Sequence, residues 1–277
     1  MAPGKGRIEA CFAALRKKGE KALIPFLTAG DPDIEMTEAL VLAMADTGAD
    51  IIELGIPFSD PSAEGPTIQR SSARALASGT SLRSILQLVN RLRARIDQPI
   101  VLMGYANPIH AMGAEAFAKA ASDVGVDGII IPDLTPEDGA PYLDPSRAMG
   151  IDVILLAAPT TSRDRLEMLV RETQGFLYYV SLQGVTGART VVGRGVEERV
   201  RLAQSLGKIP VCVGFGVGTP DHAEKIGAYA DGVVVGSAIV DKIESAVSNS
   251  RGGTAAKIAA VDEVGRFIEE LKKPLCR

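Results

Sequence analysis

Two carboxylates, Glu53 and Glu64, stand out because of their positions in the chain. Glu53 interrupts the apolar run Ile51–Leu54, which is followed by Gly and Pro and is typical of a buried strand ending in a structured loop. An acid inside such a strand is costly unless its surroundings are arranged for it. We therefore expect an ionisable group at a strand end, with Glu64 offered from the loop that follows. The alternative is that Glu53 is salt-bridged and Glu64 is solvated.

A second set of residues could bind an anion. Small residues recur in GVTG (184–187), GFGVG (214–218) and Gly236-Ser237, each just after a predicted strand. They would let backbone N–H groups approach a phosphate, and Ser237 would open a short helix whose N-terminus favours negative charge. The alternative is that these are turn glycines, with Thr219-Pro220 a simple helix start. We reject a dinucleotide fingerprint, because the spacing is Gly-x-Gly-x-Gly and the segment follows the seventh strand.

Several apolar or aromatic residues at or near predicted strand ends could form walls between the acids and the anion site. Each could equally fill the interior of the fold, but together they suit a flat, apolar ligand with a phosphate tail. These residues are Phe26, Met103, Tyr105, Ile130, Tyr178 and Phe215.

The composition excludes several classes of protein. The chain has 277 residues, of which 46% are hydrophobic and 23% charged, as in an ordinary globular protein. A net charge of −4 with both signs dispersed argues against nucleic acid or an anionic membrane as the main partner. No apolar run approaches the roughly 20 residues of a membrane span, and the N-terminus lacks a signal-peptide core. The distant cysteines and scarce histidines predict a cytoplasmic protein without disulfides or a metal site.

Eight short strands rich in Val, Ile and Leu alternate with helical stretches, which predicts a parallel sheet covered on its outer face. Eight such units in about 250 residues favour a (β/α)8 TIM barrel, with 1–277 as a single domain. We place the strands within 22–32, 51–55, 99–105, 124–134, 150–159, 175–181, 209–216 and 229–240.

The helical pattern adds an N-terminal helix at Ile8–Lys18, a helix at Ser81–Ile96 and a last helix near Ala256–Leu271. The connections after the second and sixth strands are longer than the others, and we expect extended loops there. Active sites of such barrels lie among the loops that follow the strands, so Glu53 and Glu64 would lie on the face used for chemistry.

Seven motifs identify a family resemblance. PFLTAGDP, IIELGIPFSDPSAEGPTIQ, LMGYANPI, IPDL, GVTGAR, GFGV and DGVVVGSAIV occur in the order seen in the tryptophan synthase α subunit family, and the match runs from about Ile8 to Leu271. The resemblance implies a lyase that cleaves indole-3-glycerol phosphate to indole and glyceraldehyde 3-phosphate. It also implies that indole passes through a tunnel to a pyridoxal-phosphate-dependent β subunit in an αββα complex, with no cofactor in this chain.

The resemblance implies a role for each acid. Glu53 matches the catalytic glutamate, which protonates indole C3 and takes the proton from the glycerol hydroxyl. Glu64 stands where the family has an acid that hydrogen-bonds the indole N–H. The usual residue there is Asp, so the carboxylate of Glu64 would move by roughly 1.5 Å unless the loop backs away. A displacement of about 1 Å can cost about a hundredfold in rate.

Other matches divide into subsites. Tyr105 matches a tyrosine near the glycerol part, Thr186 a threonine of a loop that closes over the site, and Asp60 a residue facing the β subunit. The phosphate binders would be Gly187, Gly216, Gly236 and Ser237, and the walls of the indole pocket Phe26, Ile130 and Phe215, with Tyr178 as a further wall. Beside the lyase, two alternatives stay open: a subunit kept mainly to activate its β partner, and a stand-alone lyase that releases free indole.

Overall fold

A curled parallel sheet organises the chain, as the sequence predicts. The computed structural model describes residues 6–181, 195–214, 216–249 and 254–276. Within them the sheet has nine strands in the order β5-β4-β3-β2-β1-β9-β8-β7-β6. The strands are β1 (Ala22–Thr28), β2 (Ile52–Gly55), β3 (Ile100–Met103), β4 (Gly128–Ile130), β5 (Asp152–Val153), β6 (Leu156–Ala157), β7 (Leu177–Val180), β8 (Val211–Gly214) and β9 (Gly232–Val235).

The predicted fifth strand, 150–159, is present as two short pieces, β5 and β6. The reason is a change of partner: β5 pairs with β4, whereas β6 pairs with β7. Between them, Ile154 N donates to Ile129 O at 3.0 Å, and Leu155 O accepts from Tyr178 N at 3.0 Å. The chain thus connects the two edges of the sheet, which gives the barrel-like closure expected of a (β/α)8 fold.

The helices cover the outside of the sheet, and one of them was not expected. Helix α3 lies inside the long connection after β2, which the sequence predicts as a loop. Its buried face includes Ser71 and Ser72 beside Ile68 and Ala75, so its apolar period is masked by small polar residues. The helices are α1 (Arg7–Lys18), α2 (Ile34–Thr47), α3 (Pro66–Ala77), α4 (Leu82–Arg93), α5 (Ala106–Met112), α6 (Ala114–Asp123), α7 (Pro136–Ala148), α8 (Arg163–Glu172), α9 (Val196–Leu206), α10 (Pro220–Gly227), α11 (Ser237–Asn249) and α12 (Thr254–Lys272), followed by a 3-10 turn at Lys273–Cys276.

The N-terminal helix α1 packs across one end of the barrel interior. Its buried residues Ile8, Phe12 and Leu15 belong to the same apolar cluster as Ile51 and Phe176, near the beginnings of the strands. The rings of Phe12 and Phe176 have centroids 6.0 Å apart. This helix therefore closes the N-terminal end of the barrel, and the opposite end is left for a ligand.

The loop between β2 and α3 is fixed by contacts with the residue that caps α5. The hydroxyl of Tyr105 accepts a hydrogen bond from Ala63 N at 2.9 Å, and its ring lies 5.3 Å from that of Phe58. The loop that carries Glu64 is therefore held against the C-terminal end of the barrel. In the part of the chain that the structure describes, no helix is long and apolar enough to cross a membrane.

Candidate active site

Glu53 is a buried acid without a protein partner. It lies on β2 with 1% of its surface exposed, and its register neighbours are Phe26 on β1 and Val101 on β3. Neither carboxyl oxygen of Glu53 has a hydrogen-bond partner among the described residues. Burial, and next the nearby charge of Glu64, raise the pKa of Glu53 from 4.5 to about 8. The alternative of a salt-bridged Glu53 is thus wrong, and the carboxyl group is held mainly neutral at neutral pH.

Glu64 is also buried, and its backbone is fixed on both sides. It is 9% exposed and precedes Gly65, the N-cap of α3. Glu64 N donates to Pro61 O at 3.0 Å, while Glu64 O accepts from Gln69 Nε2 at 2.9 Å. Burial raises the pKa of the Glu64 carboxyl to about 7. The alternative of a solvated Glu64 is therefore wrong.

Both acids line one cavity of about 260 Å³ at the C-terminal end of the barrel. Apolar side chains form much of the wall, and small residues from the segments after β8 and β9 form the opposite corner. The lining residues are Phe26, Glu53, Glu64, Ile68, Met103, Tyr178, Gly216, Val217, Gly218, Val234, Gly236, Ser237, Ala238 and Asp241. A volume of this size fits a small aromatic ligand in contact with both carboxyl groups.

The corner at Gly236 and Ser237 has the features of an anion site. Ser237 is the first residue of α11, which has 13 residues and is longer than the short helix that the sequence predicts. Backbone N–H groups at a helix N-terminus attract an anion. A Cβ on Gly236 would lie 3.3 Å from the ring of Phe26, so a larger residue would crowd this corner. Gly216 has a φ of 78°, a conformation that side chains rarely adopt.

No lysine or arginine is among the described residues that line the cavity. Within this described lining, an anion would meet neutral donors and the dipole of α11. Nor do the described residues contain a cluster of His, Cys, Asp and Glu that could hold a metal ion.

Three expected residues are not among those that line this cavity. Tyr105 lines a smaller adjoining pocket, of which Glu64 and Phe26 also form part; its hydroxyl binds Ala63 N, and burial raises its pKa to about 12. Ile130 is fully buried in the barrel interior, in register with the lining residue Met103, and belongs to the same apolar cluster as Phe26 and Tyr178. Asp60 is exposed and accepts a hydrogen bond from Ser59 Oγ at 2.5 Å. Three more expected residues, Thr186, Gly187 and Phe215, lie outside the described residues.

The cavity also contains residues that the sequence analysis did not single out. Ile68 lies on the unexpected helix α3, and recognition of that helix would have placed it. Asp241 lies one turn after Ser237 on α11, so a helical period counted from Ser237 would have found it. Its carboxylate accepts a hydrogen bond from Thr67 Oγ1 at 3.0 Å, which joins α11 to α3.

Comparison with known proteins gives one consistent result. A family model described as "Tryptophan synthase alpha chain" matches residues 12–269. Among the relatives, the tryptophan synthase alpha chain of Geobacter sulfurreducens is 49% identical over 97% of this chain and 98% of its own length. That of Phenylobacterium zucineum is 46% identical over 95% and 96% of the two chains.

The fold is similar to solved structures over nearly the whole chain. A crystal structure of tryptophan synthase subunit alpha from Legionella pneumophila superposes with a TM-score of 0.87 at 34% identity, covering 97% of this chain and 98% of that one. A structure of Mycobacterium tuberculosis tryptophan synthase gives 0.86 at 34% identity, covering 99% of each chain. The similarity therefore extends from the strand that carries Glu53 to the helix that begins at Ser237.

Proposed function

Because the chain belongs to the tryptophan synthase alpha chain family, we propose that its cavity cleaves indole-3-glycerol phosphate to indole and glyceraldehyde 3-phosphate. This lyase half-reaction is part of tryptophan biosynthesis. One observation carries the assignment of the site: two buried carboxyl groups with raised pKa values, Glu53 and Glu64, share a cavity with the N-terminus of α11. A substrate with an indole at one end and a phosphate at the other would contact both.

Glu53 acts first as a general acid. Near neutral pH its carboxyl group is mainly protonated, because burial and a neighbouring acid disfavour the carboxylate. It donates this proton to indole C3, and the electron pair for the new C–H bond comes from the C2=C3 bond. The positive charge then resides on the ring nitrogen. Glu64, in its carboxylate form, accepts a hydrogen bond from the indole N–H and stabilises that charge.

Glu53 then acts as a base. Its carboxylate takes the proton of the hydroxyl group on the carbon bonded to C3, and that carbon becomes an aldehyde. The carbon–carbon bond to C3 breaks, and its electron pair restores the C2=C3 bond and the neutral nitrogen of indole. Protons and electrons balance, since the proton given to C3 remains on indole and Glu53 is protonated again.

The other residues of the cavity position the substrate. Phe26 and Met103 provide apolar contacts for the indole ring, and Tyr178 lies on the opposite side of the barrel. The N–H groups at Gly236 and Ser237 would bind the phosphate. Gly187 and Gly216 would complete the phosphate site, Thr186 would belong to the closing loop, and Ile130 and Phe215 would complete the walls of the indole pocket.

We propose that a β subunit with its own pyridoxal phosphate completes the enzyme as an αββα heterotetramer, and that this chain binds no cofactor. Asp60 is exposed on the same loop that carries Glu64, which supports the C-terminal end of the barrel as the surface that contacts the β subunit. We also propose that residues 1–277 form one domain and that the protein is cytoplasmic. Two readouts test the partner: light scattering of the mixed subunits, and β-subunit synthesis of tryptophan with and without this chain.

The experiment for the lyase is Glu53→Gln, which keeps the shape of the side chain but removes proton transfer. Indole release from indole-3-glycerol phosphate is expected to fall by about a hundredfold to ten-thousandfold. Binding of indole-3-propanol phosphate, an analogue without the reacting hydroxyl, should persist in the variant. Full activity of Glu53→Gln would refute the role of this residue.

The longer acid at position 64 supports a second function, an activating subunit with negligible chemistry of its own. If the wild-type chain stimulates the β subunit yet forms no indole at any substrate concentration, this second function is the correct one.

A further inference from the structure

A chain of ion pairs joins three elements around the cavity. Arg74, on α3, makes two hydrogen bonds to the carboxylate of Asp31, Nε to Oδ1 and Nη2 to Oδ2, both at 2.7 Å. Its remaining nitrogen, Nη1, donates to Glu244 Oε1 on α11 at 2.7 Å. Asp31 follows β1 and is only 2% exposed. Arg74 thus binds a buried acid of the barrel rim and an acid of α11 at once.

Arg70, one turn earlier on α3, pairs with acids of α11 alone. It binds the same Glu244 through Nε and Nη2, at 3.0 Å and 2.7 Å, and its Nη2 lies 3.7 Å from Asp241 Oδ1. Its side chain is 51% exposed, compared with 30% for Arg74. It has no contact with Asp31. Among the described residues, Arg74 is the arginine of α3 that connects α11 with the end of β1.

Contacts that hold α3 in place also hold the loop that carries Glu64. The helix begins at Pro66, two residues after Glu64, and Gln69 Nε2 binds Glu64 O at 2.9 Å. Deeper in the structure, Thr28 Oγ1 and Ser71 Oγ are 2.6 Å apart, which ties the same helix to β1. A shift of α3 would therefore move the carboxylate of Glu64.

Through Glu244, Arg74 also restrains the position of α11 and hence of the anion corner at Gly236 and Ser237. Ser237 begins this helix, and Glu244 lies two turns further on. The contact between Arg74 and Glu244 therefore helps to set the distance between the start of α11 and the start of α3. The hydrogen bond of Thr67 to Asp241 and the pairs of Arg70 with α11 contribute to the same distance. Of these contacts, that of Arg74 also extends to Asp31 at the end of β1. A ligand that reaches from Glu64 to Ser237 depends on that distance, whereas a ligand bound only at Ser237 does not.

We propose that Arg74 is a positioning residue of the lyase: it holds Glu64 at the right distance from the phosphate site at the start of α11. This inference rests on the proposed function for its substrate, but its test includes binding measurements that need no turnover. The side chain of Arg74 does not line the cavity and so acts through α3 and α11.

The test compares Arg74→Lys with Arg70→Lys in the full-length chain. Lysine keeps the positive charge beside Asp31. Its single ammonium nitrogen cannot replace the three guanidinium nitrogens that bind Asp31 and Glu244. Two ligands are titrated by calorimetry: indole-3-propanol phosphate, which spans the cavity, and glycerol 3-phosphate, which occupies the phosphate site alone. For Arg74→Lys we expect a loss of about tenfold or more in affinity for the first and less than about twofold for the second, with kcat lower by up to about a hundredfold.

Arg70→Lys is the matched control, since it lies on the same helix and shares Glu244. We expect its ligand affinities and kcat to stay within about twofold of wild type, as for most exposed pairs. If Arg74→Lys does not fold, Glu244→Ala takes its place: it leaves Arg74 on Asp31, removes the contacts of Glu244 with both arginines, and should show the same selective loss, whereas Arg70→Lys alone should not.

Four outcomes would overturn the proposal. They are unchanged binding of the spanning ligand, equal losses for both ligands, equal losses in the two lysine variants, or a rise in KM with kcat unchanged. If the wild-type chain binds the spanning ligand but releases no indole, the lyase function is refuted. The affinities of the two ligands in Arg74→Lys then still decide whether Arg74 positions Glu64. A wild-type chain that binds neither ligand refutes both proposals.

Discussion

Phe26 lies directly opposite Glu53 in the parallel ladder of β1 and β2, and both side chains face the cavity. An aromatic ring beside the carboxyl group excludes water and offers no hydrogen bond, which explains why burial is the main cause of the raised pKa of Glu53. Gly55 preserves this arrangement, since a Cβ there would lie 2.6 Å from Cζ of Phe26. The geometry of two adjacent strands thus favours the protonated form of Glu53, which the proposed mechanism needs for its first step.

The pH dependence of catalysis follows from the two acids. Glu64 must be ionised to bind the indole N–H, and Glu53 must be protonated to act as the first acid. Their pKa values of about 7 and about 8 predict that kcat/KM rises as Glu64 ionises and falls as Glu53 loses its proton. Because the two groups interact, the two apparent values belong to the pair. A stopped assay of indole release between pH 5.5 and about 9.5 measures them.

The control for this profile is Glu64→Gln, which cannot ionise. The rise near neutral pH should disappear in this variant, while the fall at higher pH remains. A rise that persists in Glu64→Gln would assign the lower apparent pKa to another group.

Stability should depend on pH through Glu53 as well. Its pKa is raised from 4.5 to about 8, so the folded state binds more protons than the unfolded state between these values. The free energy of unfolding therefore falls as pH rises through this window, and the penalty is complete above about pH 8. Glu53→Gln removes the penalty and should stabilise the protein by about 4 kcal/mol more at pH 8.5 than at pH 4.5.

Urea unfolding of both proteins at the two pH values measures that difference. Glu38→Gln is a control, since Glu38 is paired with Arg91 on the surface. An equal effect of Glu53→Gln at both pH values would show that Glu53 titrates normally in the folded protein.

Glu64→Asp restores the usual residue of the family. The carboxylate withdraws by about 1.5 Å while the loop remains fixed at Ala63 and Gln69. We expect indole release to stay intact or to rise, because the shorter acid suits the hydrogen bond to the indole N–H. Steady-state kinetics of Glu64→Asp and Glu64→Gln provide the comparison. In Glu64→Gln the rate of indole release should fall by about a hundredfold. A large loss in Glu64→Asp would show that the loop is built for the longer side chain.

Tyr105→Phe tests the support of the catalytic loop. The hydroxyl accepts a hydrogen bond from Ala63 N, and its removal should cost about 1 kcal/mol of stability. A looser loop misplaces Glu64, so kcat should fall by roughly tenfold. Tyr142→Phe is the control, because the hydroxyl of Tyr142 binds His110 on the outer surface. Equal kinetics in the two variants would place Tyr105 outside the catalytic machinery.

Patterns local to the strands predicted much of this site. The apolar run predicts Glu53 on a buried strand that is followed by a loop, and the small residues before Ser237 predict a helix start there. The strand, the helix start and the curled parallel sheet are confirmed.

Contacts between distant segments were beyond the sequence. The sequence predicts a loop where helix α3 lies, because Ser71 and Ser72 occupy positions where an apolar residue would reveal the helical period. Its bridge from Asp31 to Glu244 joins residues separated by most of the chain, and no local pattern marks such pairs. The sequence indicates which residues are buried or charged, but tertiary packing decides which of them meet.

Helix α1 determines which end of the barrel is open to small molecules. With Ile8, Phe12 and Leu15 packed over the N-terminal end, the interior has its opening on the side of Glu64 and Ser237. In the described part of the chain, the route for substrate and products therefore lies at the C-terminal end of the barrel. Because α1 covers the N-terminal end, indole formed beside Glu53 would leave at the C-terminal end of the barrel, where Asp60 is exposed.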